Sequence, residues 1–352
     1  MIEENKTTYQ QLLQCAEQKY HQKLPFVCYR LPQHPSVVMR WQEQPTLNVF
    51  DIKEAIEGFV FAPFRSNHPS VFIPFDERTT LISDTPQGDA ENTTTHTPIE
   101  TEADKQAHLN LVAQAITAIQ AGAFEKVVLS RKITLTKPAC PFKSFTNMLM
   151  RYPSAFCYLF YHPVGTWLAA TPETLLYHHQ GEFRTMALAG TKVGDKEWQP
   201  KEREEQQIVT DTIVSQLQPY TTTLKVTDPH TVSAGSVQHL CTEISGTLPT
   251  DKVNEVIQRL HPTPAVCGYP TDKARAFIIN YEPYDRDYYT GYCGLIEGTK
   301  MAALYVNLRC MQIDSQHTYL YVGGGITKDS IPEKEYEETQ NKAQTIKLVV
   351  SV

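Results

Sequence analysis

Near the end of the chain, Glu335, Glu338 and Lys342 recur at i, i+3 and i+7. On a helix that spacing sets two carboxylates and an ammonium along one stripe. The stripe follows Gly323-Gly324-Gly325, a run whose entropic cost makes sense where backbone must approach something closely, here read as a glycine turn. The combination suits a hard cation and an anionic ligand, although a solvated charged helix gives the same spacing. Lys126 stands at the mouth of the apolar run Val127-Val128-Leu129. A desolvated lysine there becomes a usable general base; an exposed one simply reaches water. Glu173 follows Pro172 and precedes Leu175-Leu176, a setting that raises a carboxyl pKa and makes a general acid if water is excluded. Glu205 lies in the acidic opening of another helix. It either serves the helix dipole or joins Glu335 and Glu338 in offering the few oxygen ligands Mg²⁺ requires. Arg309 is a charge inside a strand-like run and calls for a carboxylate, from the protein or from a ligand. The phenol of Tyr289, ahead of Gly291, either binds a ligand or covers the core.

The elements that must position these groups are legible from periodicity. A helix is predicted over about 7–20, followed by strands at 26–31, 36–41, 48–51, 58–63 and 70–73. Residues 84–103, rich in Thr, Pro, Asn and Asp, read as a surface loop. Leu109, Val112, Ile116 and Ile119 predict a helix that Gly122 stops. Strands are expected at 126–135, 155–161, 166–170, 174–178, 182–189, 223–228 and 237–244. Helices are expected near 200–218, 251–260 and 271–282. Strands at 292–297, 300–306, 309–314 and 318–323 precede the terminal helix. Runs of strands broken by helices indicate α+β with mostly antiparallel sheet. The division expected is a 1–104 part within the same α+β domain and a catalytic region over 105–352.

Composition narrows the function. The 352 residues are 41% hydrophobic and carry a net charge of −7, which argues against nucleic-acid or anionic-membrane partners. The eight cysteines form no CxxC pair, so zinc spacing is absent and reduced thiols in a cytoplasmic protein are expected. The polar, acidic N-terminus is no signal peptide, and no run approaches a membrane span. GxGxxG, GxxxxGK[ST], HExxH and GxSxG motifs are all missing.

Taken in order, KVVLSR (126–131), PETLL (172–176), LAGT (188–191), the 201–211 helix and ISGTL (244–248) form one half of a pattern. HPTPAVCG (261–268), YTGYCG (289–294), VNLRC (306–310) and the 323–343 stretch form the other. The ordered set resembles the chorismate-utilising enzymes, and within them the isochorismate synthases. The resemblance implies two large antiparallel sheets packed as a sandwich with helices outside. It implies Mg²⁺ on Glu205 and Glu338, with Glu335 nearby, holding the ring carboxylate of chorismate. Lys126 is then the base that activates water for attack at C2, and Glu173 the acid that protonates the departing C4 hydroxyl, each in its less common protonation state. Tyr289, Arg309 and Lys342, with Gly324 or Gly325 N–H groups, would grip the enolpyruvyl carboxylate, and Gly190, Thr191 and Ala265 complete the substrate contacts. No glutamine amidotransferase partner is expected, because members that add ammonia lack the lysine at the Lys126 position. Ala189 stands where aminodeoxychorismate synthases carry a nucleophilic lysine. Two departures stand out: Gln206 where many relatives have histidine, and Tyr292 where proline is common. A salicylate synthase and a non-catalytic metal- and anion-binding protein on the same scaffold are the alternatives.

Overall fold

The computed structural model describes residues 5–54, 56–88, 90, 98–195 and 197–352. The chain begins with α1 (Tyr9–His21), β1 (Phe26–Arg30), β2 (Ser36–Trp41), β3 (Glu57–Ala62), β4 (Val71–Pro74), β5 (Thr80–Asp84) and β6 (Pro98–Ile99). There follow α2 (Glu102–Gln120), β7 (Lys126–Leu135), α3 (Pro141–Arg151), β8 (Phe156–His162), β9 (Gly165–Thr171), β10 (Thr174–His179) and β11 (Glu182–Lys192). Next are α4 (Pro200–Leu217), β12 (Thr223–Val226), β13 (His230–Ala234), β14 (Val237–Thr247), α5 (Val253–Leu260), β15 (Gly268–Tyr269) and α6 (Thr271–Tyr281). The last elements are β16 (Tyr292–Glu297), β17 (Met301–Val306), β18 (Cys310–Ile313), β19 (Thr318–Ile326) and α7 (Pro332–Lys347).

Two antiparallel sheets result. One runs β15-β7-β19-β18-β9-β8-β1-β2-β5 with β6 beside β7; the other runs β12-β14-β11-β10-β17-β16-β3-β4 with β13 beside β14. The α+β sandwich expected from the sequence is the observed fold. Strands β1 to β5 pair into both sheets, β1 against β8 and β3 against β16.

Alternation explains the layers. In β8 one face (Phe156, Tyr158, Phe160) joins an aromatic layer with Phe59, Phe61 and Tyr305 of the other sheet. The other face (Cys157, Leu159) packs under α1, α3 and α7. Every residue of the strand but Tyr161 is therefore buried. The ring pairs across the sandwich are tight, Phe156 on Tyr305 at 4.2 Å and Phe61 on Phe160 at 4.5 Å between centroids. Helices α4 and α5 cover the outer face of the second sheet, and α2 and α6 close one end.

Several expectations need correction. Residues 48–51 form no strand; Val49 makes only an isolated bridge to Val71. The 84–103 segment is not loop throughout: Pro98–Ile99 pairs with β7, and Thr101 caps α2 with Asp104 at N3. Residues 91–97 lie outside the described residues. Helix α3 and strands β5 and β13 come in addition. Gly323–Gly325 lie within β19, paired to Ser130, Leu129 and Val128 of β7, rather than in a turn. Arg309 precedes β18 instead of lying in it, with φ +49°.

Candidate active site

Pairing of β7 with β19 brings Lys126 beside the glycines, and α4 and α7 cross over them. The close approach that justifies glycine is explicit. A Cβ on Gly325 would lie 2.1 Å from Glu205 Oε1 and 3.1 Å from Lys126 Cε. One on Gly324 would meet Glu338 Oε1 at 3.4 Å and Glu335 Oε2 at 3.7 Å, and one on Gly323 the Tyr289 hydroxyl at 2.9 Å. The three carboxylates therefore converge on one short stretch of strand, from helices far apart in sequence.

A cavity of about 70 Å³ opens here. Of the residues singled out in the sequence, Glu173, Gly190, Thr191, Glu205, Ala265 and Tyr289 line it. So do Arg309, Gly324, Gly325 and Lys342. Lys126, Glu335 and Glu338 are not among the lining residues but stand against Gly324 and Gly325, which are. Lys126 is no strand-end surface lysine: it is wholly buried, and its Nζ lies 3.1 Å from Glu205 Oε1, an ion pair rather than an aligned hydrogen bond. Lys342 donates to Glu338 Oε1 (2.7 Å) and to the Gly323 carbonyl (2.9 Å). Lys201, one turn before Glu205 on α4, pairs with Glu335.

Electrostatics separate the carboxylates. Glu173, in the two-residue link between β9 and β10, is 2% exposed. Burial pushes its pKa up to about 8, against the pull of Lys126, a Thr263 hydrogen bond and Arg309. The Thr263 hydroxyl donates to Glu173 Oε1 at 3.4 Å. Burial also acts on Glu205, but Lys126, Lys201 and Lys342 more than reverse it and hold that carboxyl below the usual range. Glu335 is raised by burial and by Glu338 beside it. One cavity thus combines a protonated acid and an ionised carboxylate.

Arg309 finds a histidine instead of a carboxylate. Its Nη2 donates to His239 Nε2 at 2.8 Å. His239 Nδ1 then carries the proton and donates to the Gly190 carbonyl at 2.8 Å. Burial and the Arg309 charge push the His239 pKa far down, so the ring is neutral. Tyr289 is buried and stacks on Tyr321 at 5.4 Å. His239, Thr263 and Lys201 escape sequence reasoning. Thr263 sits in HPTPAVCG and Lys201 lies four residues before Glu205, which are usable signals; a lone strand histidine offers none. The departures are accommodated. Gln206 donates to the Ala187 carbonyl (3.1 Å) and the Thr242 hydroxyl (3.0 Å), fastening α4 to its sheet. Tyr292 packs edge-on against His261.

The donor set fits a divalent cation held loosely. Glu335 Oε2 is buried without a hydrogen-bond partner among the described residues, and the glycines clear space before all three carboxylates. Their oxygens do not close into a compact cage. Among the described residues the triple with all ligand atoms within 4.8 Å is His68, Asp285 and Asp287, where Arg65 and Asn67 already occupy Asp285. A cation on the glutamates would keep water or substrate oxygens in its shell, as Mg²⁺ does.

Residues 71–351 match the family described as chorismate binding enzyme. The chain is 32% identical to isochorismate synthase DhbC of Bacillus subtilis over 270 residues, 69% of this chain and 67% of that protein. It is 34% identical to isochorismate synthase MenF of Escherichia coli over 294 residues, 78% and 66%. These alignments span only about two thirds of the relatives' own length. In structure it resembles a DhbC isochorismate synthase of Bacillus anthracis (TM-score 0.79, 24% identity, 93% and 96% covered). It also resembles anthranilate synthase component I of Streptococcus pneumoniae (TM-score 0.68, 18% identity, 92% of each chain). At that identity the likeness speaks for the fold.

Proposed function

The chain belongs to the chorismate-binding enzyme family, and from that premise we propose that it converts chorismate to isochorismate. The observation that carries this reading is Glu173: a buried carboxyl, pKa up to about 8, in one cavity with Arg309, Lys342 and Tyr289. Binding alone does not need an acid held protonated there; removal of a hydroxyl does.

In the proposed reaction Lys126, freed from its ion pair with Glu205 and deprotonated, takes a proton from the water that attacks C2. The ring double bonds shift, and the C4–O bond breaks as Glu173 donates its proton, so the C4 hydroxyl leaves as water. One water enters and one departs, and the net change is isomerisation. Arg309 and Tyr289 hold the enolpyruvyl carboxylate, with Lys342 and the glycine N–H groups assisting. Strand β18 pairs with β19 only over Thr318–Leu320, so the glycine stretch keeps one open edge. When bound, Mg²⁺ on Glu205, Glu338 and Glu335, partly through water, would supply positive charge for the ring carboxylate. Ala189 leaves no amine there for a covalent adduct, and no amidotransferase is needed for a reaction that uses water. The expected destination of the product is menaquinone or siderophore biosynthesis in the cytoplasm. No helix of the described residues is long and apolar enough to cross a membrane.

The test is a product assay with purified protein, chorismate and Mg²⁺. Isochorismate is expected; its absence with metal present sinks the proposal, and release of pyruvate moves the assignment to a salicylate synthase.

A further inference from the structure

The cavity around Glu173, about 70 Å³, is well below the ~300–1,000 Å³ of sites that enclose small organic ligands. Beyond one of its walls lies a chamber of about 670 Å³. Pro172, Leu188 and Arg309 line both spaces, so the partition is a single layer of side chains. The chamber's other walls are the end of α3, the β13–β14 turn and the last turns of α7.

Two guanidiniums face it. Arg309 is 7% exposed, and its Nη1 has no hydrogen-bond partner among the described residues. Arg151, partly buried in the last turn of α3, has an Nε in the same condition. The arginines that do form ion pairs among the described residues are Arg65, Arg78, Arg131 and Arg286. A helix C-terminus favours a cation and accounts for the charge of Arg151. It does not account for a second, deeply buried guanidinium without a counter-ion on the same chamber, which is costly until an anion arrives. Among the described residues the acidic group in the chamber lining is Glu243, which is exposed. In a chain of net charge −7, this is a local positive field around a cavity.

We infer that this chamber is the antechamber by which the substrate dicarboxylate reaches the small cavity. Arg151 makes the first contact with a carboxylate, and Arg309, facing both spaces, receives it at the partition. The inference rests on the chorismate reading above and adds a binding station to it. Two unpaired cations lining a cleft with low-dielectric walls raise the capture rate of an anion, and salt screens the effect.

Arg151→Met keeps the stem and removes the charge; Ser233→Trp fills the chamber from β13. Chorismate turnover is measured for both variants and wild type across ionic strength, with chorismate binding followed by titration calorimetry. The expected result is a kcat/KM lowered about tenfold in Arg151→Met, a flatter salt dependence, weaker binding and an unchanged kcat. Ser233→Trp is expected to lower kcat/KM with kcat retained. Wild-type kcat/KM and salt slope in Arg151→Met, with an active wild-type enzyme, would overturn the antechamber alone. A wild type that neither binds nor converts chorismate overturns the functional reading, and the antechamber with it.

Discussion

The charged groups on the two walls of the active cavity stand in opposite states, matched on one and unmatched on the other. On the wall made by α4 and α7 each carboxylate already has an ammonium: Glu205 with Lys126, Glu338 with Lys342, Glu335 with Lys201. On the opposite wall Arg309 leans on a neutral histidine and has no ion-pair partner among the described residues; Arg151, in the neighbouring chamber, likewise has an Nε without a hydrogen-bond partner among them. A lysine is a compact charge on a flexible stem that can move aside, whereas a guanidinium is a rigid fork shaped for a carboxylate. The acidic wall is therefore matched within itself, and on the proposed reading a cation would have to displace the lysines. The basic wall lacks a counter-ion among the described residues, which on the proposed reading the substrate carboxylate would supply.

The comparison is broken most directly at its chemical centre. Lys126→Ala and Glu173→Gln are each expected to lower kcat by at least ~10²-fold, the low end for loss of a general base or acid, with little change in KM. Steady-state turnover of chorismate checks this. Wild-type-like kcat in either variant removes that residue from the chemistry. Next in size is a contrast in stability. Glu205→Gln strands the fully buried Lys126 and should cost about 3–5 kcal/mol. Arg309→Met relieves an uncompensated charge and should leave the melting midpoint unchanged or higher while activity is lost. Denaturant titration of the two variants side by side is the measurement; equal destabilisation would erase the distinction between the walls. Smaller again, Glu338→Gln should weaken Mg²⁺ binding several-fold by titration calorimetry, since one charged ligand of a water-rich shell is removed. Unchanged affinity would exclude Glu338 as a ligand.

How much of this was readable depends on the range of the interaction. Strand and helix positions follow from local alternation, and β7, β11, β14, β16 and α7 emerge close to where periodicity puts them. Helix α3 has a visible stripe in Phe142, Phe145 and Met148, but its N-cap is Cys140, which makes no side-chain cap, so the usual start signal is missing. Arg309 reads as a strand residue because apolar neighbours flank it; its positive φ and its contact with His239, 70 residues away, are encoded by no local pattern. Lys126 and Glu173 are legible as chemistry-bearing types in apolar settings. Which lysine faces which glutamate is not, because those pairs join residues 79 and 134 positions apart, Lys126 to Glu205 and Lys201 to Glu335.

The finest probe of the contrast is proton linkage at Glu173. Its folded pKa of about 8 lies above the ordinary carboxyl value of 4.5. Between these values the folded protein keeps a proton that the unfolded chain has released. Stability from this group is thus fully present below pH 4.5 and is lost as pH rises through about 8. Glutamine cannot ionise, so Glu173→Gln escapes the loss. The variant's melting midpoint should therefore gain on wild type by roughly 2–5 °C between pH 5 and pH 8, then run parallel to it. Over the upper part of that range, kcat/KM of the wild type should fall as the acid is spent, because only the protonated carboxyl can deliver a proton to the leaving oxygen. A midpoint difference that stays flat across the range would mean that Glu173 ionises freely. The cavity would then be wetter than its lining implies, and the acid would have to be sought elsewhere on the arginine side.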